Sequence, residues 1–461
     1  MNRWTAYQVM LFTLPLPFGG YRDWAWPWFA AVAVILLLLE VNHLLRIRHI
    51  ARLPAIPFPT AFIKALPLIG LLAMVQLWVL VQWAAGISYS PFDTYTAFLR
   101  GLGLISFFAL TLLMLHSRER VKRAVWIVAL AAAFQALFGA VMVLTGLEFG
   151  FFIEKQYYRG VATGTFVNRN HLAGYLEMSL ALGIGFLLAQ STYYSGSLRQ
   201  RMRQMVAMLL SDKVVLRLLL AVMVIALVLS RSRMGNTAFF ASLMLAGGLA
   251  LLLMRNKSRS TTILLASLLV IDIAIVGTFF GVEKVADRLQ NTTAEHESRD
   301  EVTRDTVNMW RQNLITGIGA GAFIPVYPAF RSADVKENAI YNNAHNDYAQ
   351  FGAEFGLPAY LTLAAVVLWC FWWGVMAMRL RNSDLYKGMG FSACMGIIAI
   401  AIHSAVDFNL QVPANAWMFM LVLAMAVIAR WAPHNAQPLP EIKRHATLKV
   451  EDQSEPAERP A

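Results

Sequence analysis

The sequence predicts an all-α polytopic integral membrane protein with about twelve transmembrane helices. Two observations predict this class. Of the 461 residues, 58% are hydrophobic and only 14% are charged, and the apolar residues form long runs. A soluble domain carries about 25% charged residues, so this composition excludes a soluble fold. A helix needs about 20 apolar residues to cross the ~30 Å hydrocarbon core of a bilayer, and most of the runs approach that length.

The predicted spans follow one another along the chain. They are 7–20, 24–45, 62–85, 94–115, 122–146, 169–190, 214–230, 234–254, 261–281, 357–379, 388–406 and 414–430. The first is short and contains Pro15 and Pro17. It lacks a small-residue cleavage site and another span follows directly, so we do not interpret it as a removed signal peptide. Cys370 and Cys394 fall inside spans and are expected to be small core residues.

Alternate loops are rich in Lys and Arg, and this pattern predicts the orientation. The basic loops are 46–52, 118–123, 199–213, 255–259 and 379–387, whereas the short loop 86–93 contains no Lys or Arg. Cytoplasmic loops carry such an excess, so these loops and both termini are predicted to lie inside. They hold most of the net charge of +12, which favours membrane topology over nucleic-acid binding. No nucleic-acid partner is therefore expected.

Unusual polar segments collect on the opposite, outward side. They are 164–175 (GTFVNRNHLAGY), 230–235 (SRSRMG), 282–356 and 403–415 (HSAVDFNLQVPAN). We divide the chain into a transmembrane domain, residues 1–432, which includes the outward loop 282–356, and a tail, residues 433–461. The tail is rich in Pro, Glu, Lys and Arg, and it is predicted to be disordered and cytoplasmic.

The long outward loop has three predicted parts. Its first half is predicted to be an amphipathic helix, because Val302, Val307 and Trp310 recur at helical spacing among charged residues. GIGAGAF (317–323) then ends the helix, and its glycines allow positive φ or close backbone approach. No strand precedes these glycines, which excludes a dinucleotide-binding loop. The segment 342–356 (NNAHNDYAQFGAEFG) is predicted to form an interfacial helix that leads into the next span.

Arginines on the outward side predict an anion site at the edge of the membrane. Arg231 and Arg233 lie where one span ends and the next begins, and the long loop adds Arg299, Arg304 and Arg311. Arginine presents a planar, permanently charged fork that suits phosphate oxygens. Contact with the phosphates of the bilayer is the alternative for the first pair. A lipid-linked phosphate or diphosphate is the expected occupant of such a pocket.

His345 is the best candidate for a general acid or base, because histidine exchanges a proton near neutral pH. The neighbouring Asn343, Asn346 and Asp347 are expected to orient its ring. The alternative is a helix-capping or surface histidine. His171, in the segment NRNHLAG, is a weaker candidate of the same kind.

Other outward polar residues admit two interpretations. His403 and Asp407 are four residues apart on one helix face, so they form either a structural pair or part of a site. Asn168 and Asn170 either hydrogen-bond a sugar or phosphate, or cap the helix that begins near Arg169. No Asp/Glu cluster indicates a bound metal, and the DxD motif of nucleotide-sugar transferases is absent.

These motifs together resemble a known family. GTFVNRNHLAGYLEM, then SRSRMG, then GIGAGAF and AHNDYAQFGAEFGLPAY in a long outer loop are similar to the O-antigen ligase and Wzy-type polymerase superfamily of bacterial membrane glycosyltransferases. The resemblance covers about 158–424, and the order and spacing of the motifs are its specific features. HSAVDFNLQVPANA is similar to the closing segment of members associated with exopolysaccharides.

The resemblance implies a GT-C-like fold in the bacterial inner membrane with an active site that faces the periplasm. It implies transfer of a glycan from undecaprenyl diphosphate to an acceptor hydroxyl, without a metal or a cofactor. Membrane lipid is expected as a further partner. His345 matches the essential histidine of the family, and Arg233 and Arg304 are the best matches to its arginines, with Arg299 left open. Arg231 is a further candidate diphosphate ligand, and Asn168, Asn170, Asn346, Asp347, His403 and Asp407 are candidate substrate contacts.

Two classes of function remain open at this point. A transporter or flippase of an anionic lipid-linked substrate would use the same arginines for binding alone. The charges lie at the outer edge of the spans and not at the bilayer midplane, which favours the transferase. Within the transferase class, the acceptor is lipid A core for a ligase, a lipid-linked glycan for a polymerase or a protein hydroxyl for an oligosaccharyltransferase. The similarity of the segment HSAVDFNLQVPANA to members associated with exopolysaccharides slightly favours a polymerase.

Overall fold

The fold is known from a computed structural model that describes residues 2–150, 153–190, 212–254, 262–263, 266–267, 270, 299–335 and 340–433. Nearly all regular structure in these residues is helical, as the sequence predicts. The predicted disorder of the tail, and the part of the long loop that precedes residue 299, lie outside the described residues.

Thirteen α-helices are described. They are α1 (Arg3–Thr13), α2 (Ala25–Ile50), α3 (Thr60–Ala84), α4 (Pro91–Met114), α5 (Arg118–Thr145), α6 (Arg169–Ala189), α7 (Asp212–Leu229), α8 (Arg233–Leu253), α9 (Arg299–Gln312), α10 (Phe323–Val326), α11 (Asp347–Leu380), α12 (Asp384–His403) and α13 (Pro413–Trp431). Three 3-10 turns (Phe18–Gly20, Tyr327–Ala329 and Asn409–Gln411) and one antiparallel hairpin of β1 (Phe149–Gly150) and β2 (Ile153–Glu154) complete the described elements.

Within the described residues, 9 helices are long and apolar enough to cross a membrane: α2–α6, α8 and α11–α13. This confirms a polytopic helical membrane protein, whereas the number of about twelve spans stays a prediction, because part of the chain lies outside the described residues. Predicted span 214–230 corresponds to α7, which is a helix of 18 residues outside that set. Predicted span 261–281 lies almost entirely outside the described residues.

The prediction of a first span at 7–20 is wrong in its extent. α1 ends at Thr13 after 11 residues, which corresponds to about 16 Å of helix, well short of a bilayer core. Pro15 and Pro17 explain the end, because neither has an N–H to continue the helical hydrogen bonds. The chain then turns through Phe18–Gly20 before α2 begins.

α6 and α12 form the centre of the bundle, and both are almost completely buried. Small residues let them approach closely: a Cβ placed on Gly185 would lie 2.3 Å from the carbonyl oxygen of Gly388. Helices in membranes associate through such small-residue contacts. Cys370 and Cys394 are buried and unbridged among these helices, as predicted.

α11 is broken at Gly356, where the backbone has φ 73° and ψ 164°. The break leaves carbonyl groups without helical partners, and the glycine-rich loop supplies them. Ile318 N–H donates to Ala353 O at 2.8 Å, and Gly319 N–H donates to Glu354 O at 3.2 Å. The glycines of GIGAGAF have positive φ, as predicted, and the loop is thereby fixed to the head of α11.

Candidate functional site

His345 is held in a strained conformation immediately before α11. Its φ is +52°, in the left-handed region that non-glycine residues rarely adopt. The backbone N–H and carbonyl groups of the preceding residue, Ala344, are both hydrogen-bonded. Its N–H donates to Gln350 Oε1 at 3.0 Å, and its carbonyl oxygen accepts from Thr303 Oγ1 of α9 at 3.1 Å. Such strain persists only where the surroundings fix the backbone, and it is frequent at functional sites.

The partner of His345 is a buried carboxylate that follows α12. His345 Nδ1 lies 3.9 Å from Asp407 Oδ1, and the two side chains are 21% and 2% exposed. Asp407 accepts hydrogen bonds from Asn170 Nδ2 at 2.5 Å and from Phe408 N–H at 2.9 Å. The Nδ1 edge of the imidazole therefore lies near a fixed acidic group, while part of the ring remains accessible.

The charge of Asp407 is maintained by its neighbours. Burial by itself raises the pKa of the Asp407 carboxyl, but His171, His403, His345 and the Phe408 N–H together hold this pKa below its usual value. An ionised carboxylate stabilises a protonated imidazole close to it. The pair is thus suited to accept a proton at His345.

Phe408 separates two histidines. Its ring makes edge contacts with the imidazole of His345, with centroids 4.9 Å apart, and with that of His171, with centroids 4.7 Å apart. His171 is 4% exposed, so it is a buried neighbour of the site and not a second accessible base.

The residues next to His345 in sequence do not surround its ring as predicted. Asn346 caps α11, since its Oδ1 accepts from Ala349 N–H at 3.0 Å, and its Nδ2 donates to Ala405 O at 2.8 Å. Asp347 is buried and accepts from Ser404 Oγ and from Leu410 N–H. Both residues fasten the start of α11 to the segment after α12.

The predicted pairing of His403 with Asp407 is also not formed. α12 ends at His403, so the four-residue helical spacing is lost. His403 Nδ1 instead lies 2.8 Å from Glu177 Oε1 of α6, and both side chains are 0% exposed. Glu177 is not among the site residues predicted from the sequence, although a carboxylate inside an apolar run is costly and is usually functional.

The two asparagines at the start of α6 have different roles. Asn168 caps the helix, and its Oδ1 accepts from Asn170 N–H at 2.8 Å. The side chain of Asn170 contacts Asp407 as described above. Nearby, Asn415 Nδ2 donates to His171 O at 3.0 Å, which joins α13 to the same end of α6. The first turn of α6 is therefore part of the candidate site.

The four candidate arginines occupy two places. Arg231, with φ +50°, and Arg233 are exposed at the start of α8, and Gly235, two residues after Arg233, packs against Ala173 of α6. This contact brings the start of α8 beside the candidate site.

Arg299 and Arg304 lie on α9. Arg304 is already engaged, because its Nη2 donates to Asp334 Oδ2 at 2.8 Å and to Ser332 Oγ at 3.2 Å. Arg299 is half-buried and is the first residue of α9.

A buried hydrogen-bond chain, not predicted from the sequence, connects α3 with the His345 loop. Gln82 Nε2 donates to Glu354 O at 2.9 Å, and Gln350 Nε2 donates to Glu354 Oε1 at 3.0 Å. Gly321 N–H donates to Glu354 Oε2 at 3.1 Å, and Gln350 also holds Ala344. Gln82, a polar residue inside the apolar run 62–85, was the available signal for this chain.

Residues 218–364 match the family model described as O-antigen ligase. The match includes the four arginines and His345, whereas Asn170, Glu177, His403 and Asp407 lie outside it. Comparison with curated proteins gave no significant match. The match agrees with the resemblance that the motifs predict: residues 218–364 of this polytopic helical membrane protein are similar to the O-antigen ligase family.

Proposed function

We propose that this protein transfers a glycan from undecaprenyl diphosphate to an acceptor hydroxyl at the periplasmic face of the inner membrane, in the assembly of a surface polysaccharide. The observation that carries the proposal is the His345–Asp407 pair, 3.9 Å apart, beside the first turn of α6. A partly accessible imidazole on a buried carboxylate is a suitable general base.

In the proposed reaction, the acceptor oxygen attacks the anomeric carbon of the donor. A bond forms between that oxygen and that carbon, the bond from the carbon to the diphosphate oxygen breaks, and the acceptor proton passes to His345. Asp407 stabilises the resulting imidazolium. The lipid diphosphate leaves with its electron pair and gains negative charge.

Arg231 and Arg233 are the proposed first ligands of that diphosphate. Both are exposed and lie at a helix start, where fixed positive charge stabilises a developing anion. Arg304 binds the donor only by exchanging its contact with Asp334, and Arg299 is the second candidate on α9. No metal is required, because the guanidinium groups supply the positive charge.

The acceptor class is the finer part of the proposal. Sequence similarity of the segment 403–415 to members associated with exopolysaccharides favours a polymerase, with a lipid-linked glycan as acceptor. Lipid A core and protein hydroxyls are the alternatives to be tested with the same donor.

The test is transfer by the purified protein in lipid nanodiscs, with synthetic undecaprenyl-diphosphate glycan and each acceptor, in the presence of EDTA. Product is expected from the wild type and not from His345→Ala, while the variant still binds donor. Movement of the donor across vesicle membranes without a new glycosidic bond would instead identify a flippase. Loss of wild-type activity in EDTA would contradict metal independence.

A further inference from the structure

The Glu177–His403 pair lies among membrane-spanning helices and does not touch the proposed reacting groups. Within the described residues, Glu177 Oε2 and His403 Nε2 are buried and have no hydrogen-bond partner. The 2.8 Å contact between His403 Nδ1 and Glu177 Oε1 therefore joins the two side chains to each other. Burial of two ionisable groups among membrane-spanning helices costs free energy, and groups in such positions usually have a function.

The pair belongs to a two-point attachment. Asn170 and Glu177 are seven residues apart on α6, which places them on one face, two turns apart. Asn170 holds Asp407, and Glu177 holds His403. The segment 403–407 is therefore attached to α6 at both ends.

A third attachment ties the same segment to the helix that carries His345. Asp347 N–H donates to Ser404 O at 2.9 Å and to Asp407 O at 3.2 Å, and Ser404 Oγ donates to Asp347 Oδ2 at 2.8 Å. Since α12 ends at His403, the position of that residue sets where the segment begins. A shift of His403 would move Asp407 relative to His345.

We propose that Glu177 and His403 are positioning residues that hold the Asp407 carboxylate beside His345; the effect on turnover rests on the proposed function. The pair acts through its hydrogen bond and not through net charge. A variant that retains the bond therefore retains turnover, and a variant that removes both partners loses turnover without loss of folding.

The decisive variant is the double substitution Glu177→Leu with His403→Leu. Either single substitution leaves the other polar group buried and unpaired, which destabilises the fold, whereas the double variant leaves no such group. We expect the double variant to be monodisperse and to unfold near the wild-type temperature. Its kcat should fall about 10- to 100-fold, as expected when a catalytic group is misplaced by ~1 Å, with an unchanged KM for the donor.

Two further variants distinguish positioning from other roles. Glu177→Gln keeps an oxygen acceptor for the His403 ring, and its kcat should stay within about threefold of wild type. Ser179→Ala is the matched control on α6, because Ser179 Oγ donates to Tyr175 O of its own helix. A folded Glu177→Gln variant as inactive as the double variant would show that charge, and not position, matters.

A structural readout separates this inference from the proposed function. Cryo-electron microscopy of the double variant, bound to an antibody fragment, should show Asp407 displaced from Asn170. If the wild type transfers no glycan but Asp407 is displaced, the proposed function fails and the positioning role stands. If Asp407 keeps its contact with Asn170 and kcat is unchanged, the positioning role is overturned.

Discussion

The imidazole of His345 lies beside a carboxylate that approaches from another part of the chain, with Nδ1 of His345 3.9 Å from Oδ1 of Asp407. The backbone of His345 has a strained positive φ just before α11, and the Asp407 side chain is held by its hydrogen bond to Asn170 of α6. Three segments that are far apart in sequence therefore define one acid–base pair.

His345→Ala should lower turnover by about 10² to 10⁴-fold, the usual cost of removing a general base. Binding of the lipid diphosphate donor should remain, because the arginines hold that group. The measurements are kcat with saturating synthetic donor and the Kd of the donor for each protein. His49→Ala, an exposed histidine at the end of α2, is the control. Wild-type turnover in His345→Ala would remove this residue from the mechanism.

Asp407→Asn should lower kcat by about tenfold or more, because the imidazolium formed at His345 loses its charge partner. Since the pKa of Asp407 is held below its usual value, the carboxylate stays ionised at and above its ordinary pKa. Its contribution to wild-type turnover should therefore be lost only as the pH falls below that range. Rate profiles of both proteins over pH check this, and an Asn variant as fast as wild type would refute it.

Arg231→Ala and Arg233→Ala should each weaken transition-state stabilisation by a few kcal/mol, seen as a large fall in kcat/KM. Lysine at these positions should restore activity only in part, because an ammonium group lacks the bidentate fork of arginine. Steady-state kinetics with a fixed acceptor provide the measurement. If both alanine variants retained wild-type kcat/KM, the proposed diphosphate site would have to lie elsewhere.

Arg304 allows a more specific test, because its guanidinium is held by Asp334. Asp334→Ala removes the shortest contact of this cation and leaves only the longer contacts with Ser332 and Asp305, so donor KM should fall slightly or stay constant if Arg304 binds the diphosphate. Arg304→Ala should then raise donor KM or lower kcat. If Arg304→Ala and Asp334→Ala have the same effect, the ion pair is structural and Arg304 is not a donor ligand.

Gly356→Ala should destabilise the fold by several kcal/mol, because φ 73° with ψ 164° is accessible essentially only to glycine. Its Cβ would also lie 2.1 Å from Ile315 O. Gly160→Ala has a similar φ of +72° but open space around the Cβ, so it should show the strain without the clash. Gly248→Ala, within α8 and also in open space, should be neutral or slightly stabilising. Thermal unfolding in detergent measures all three, and equal shifts for Gly356→Ala and Gly160→Ala would refute the role of the clash.

The sequence by itself determined the membrane class, most of the spans, the helix within the long loop, the positive-φ glycines and the start of α6. Each of these depends on local properties: apolar run length, helical periodicity, and the conformational preferences of glycine and of capping residues. The end of α1 at Thr13 has the same local origin in Pro15 and Pro17, although hydropathy alone extended that span.

Only the tertiary structure decided the partners of the polar residues. The contact between Glu177 and His403 joins residues 226 positions apart, and that between Asn170 and Asp407 joins residues 237 apart. The four-residue spacing suggested a contact between His403 and Asp407, because residues four apart share a face if the helix continues. α12 ends at His403, and helix packing then presents each of these side chains to α6. The contacts between polar groups inside a membrane bundle depend on how the helices pack, and local sequence patterns do not determine that packing.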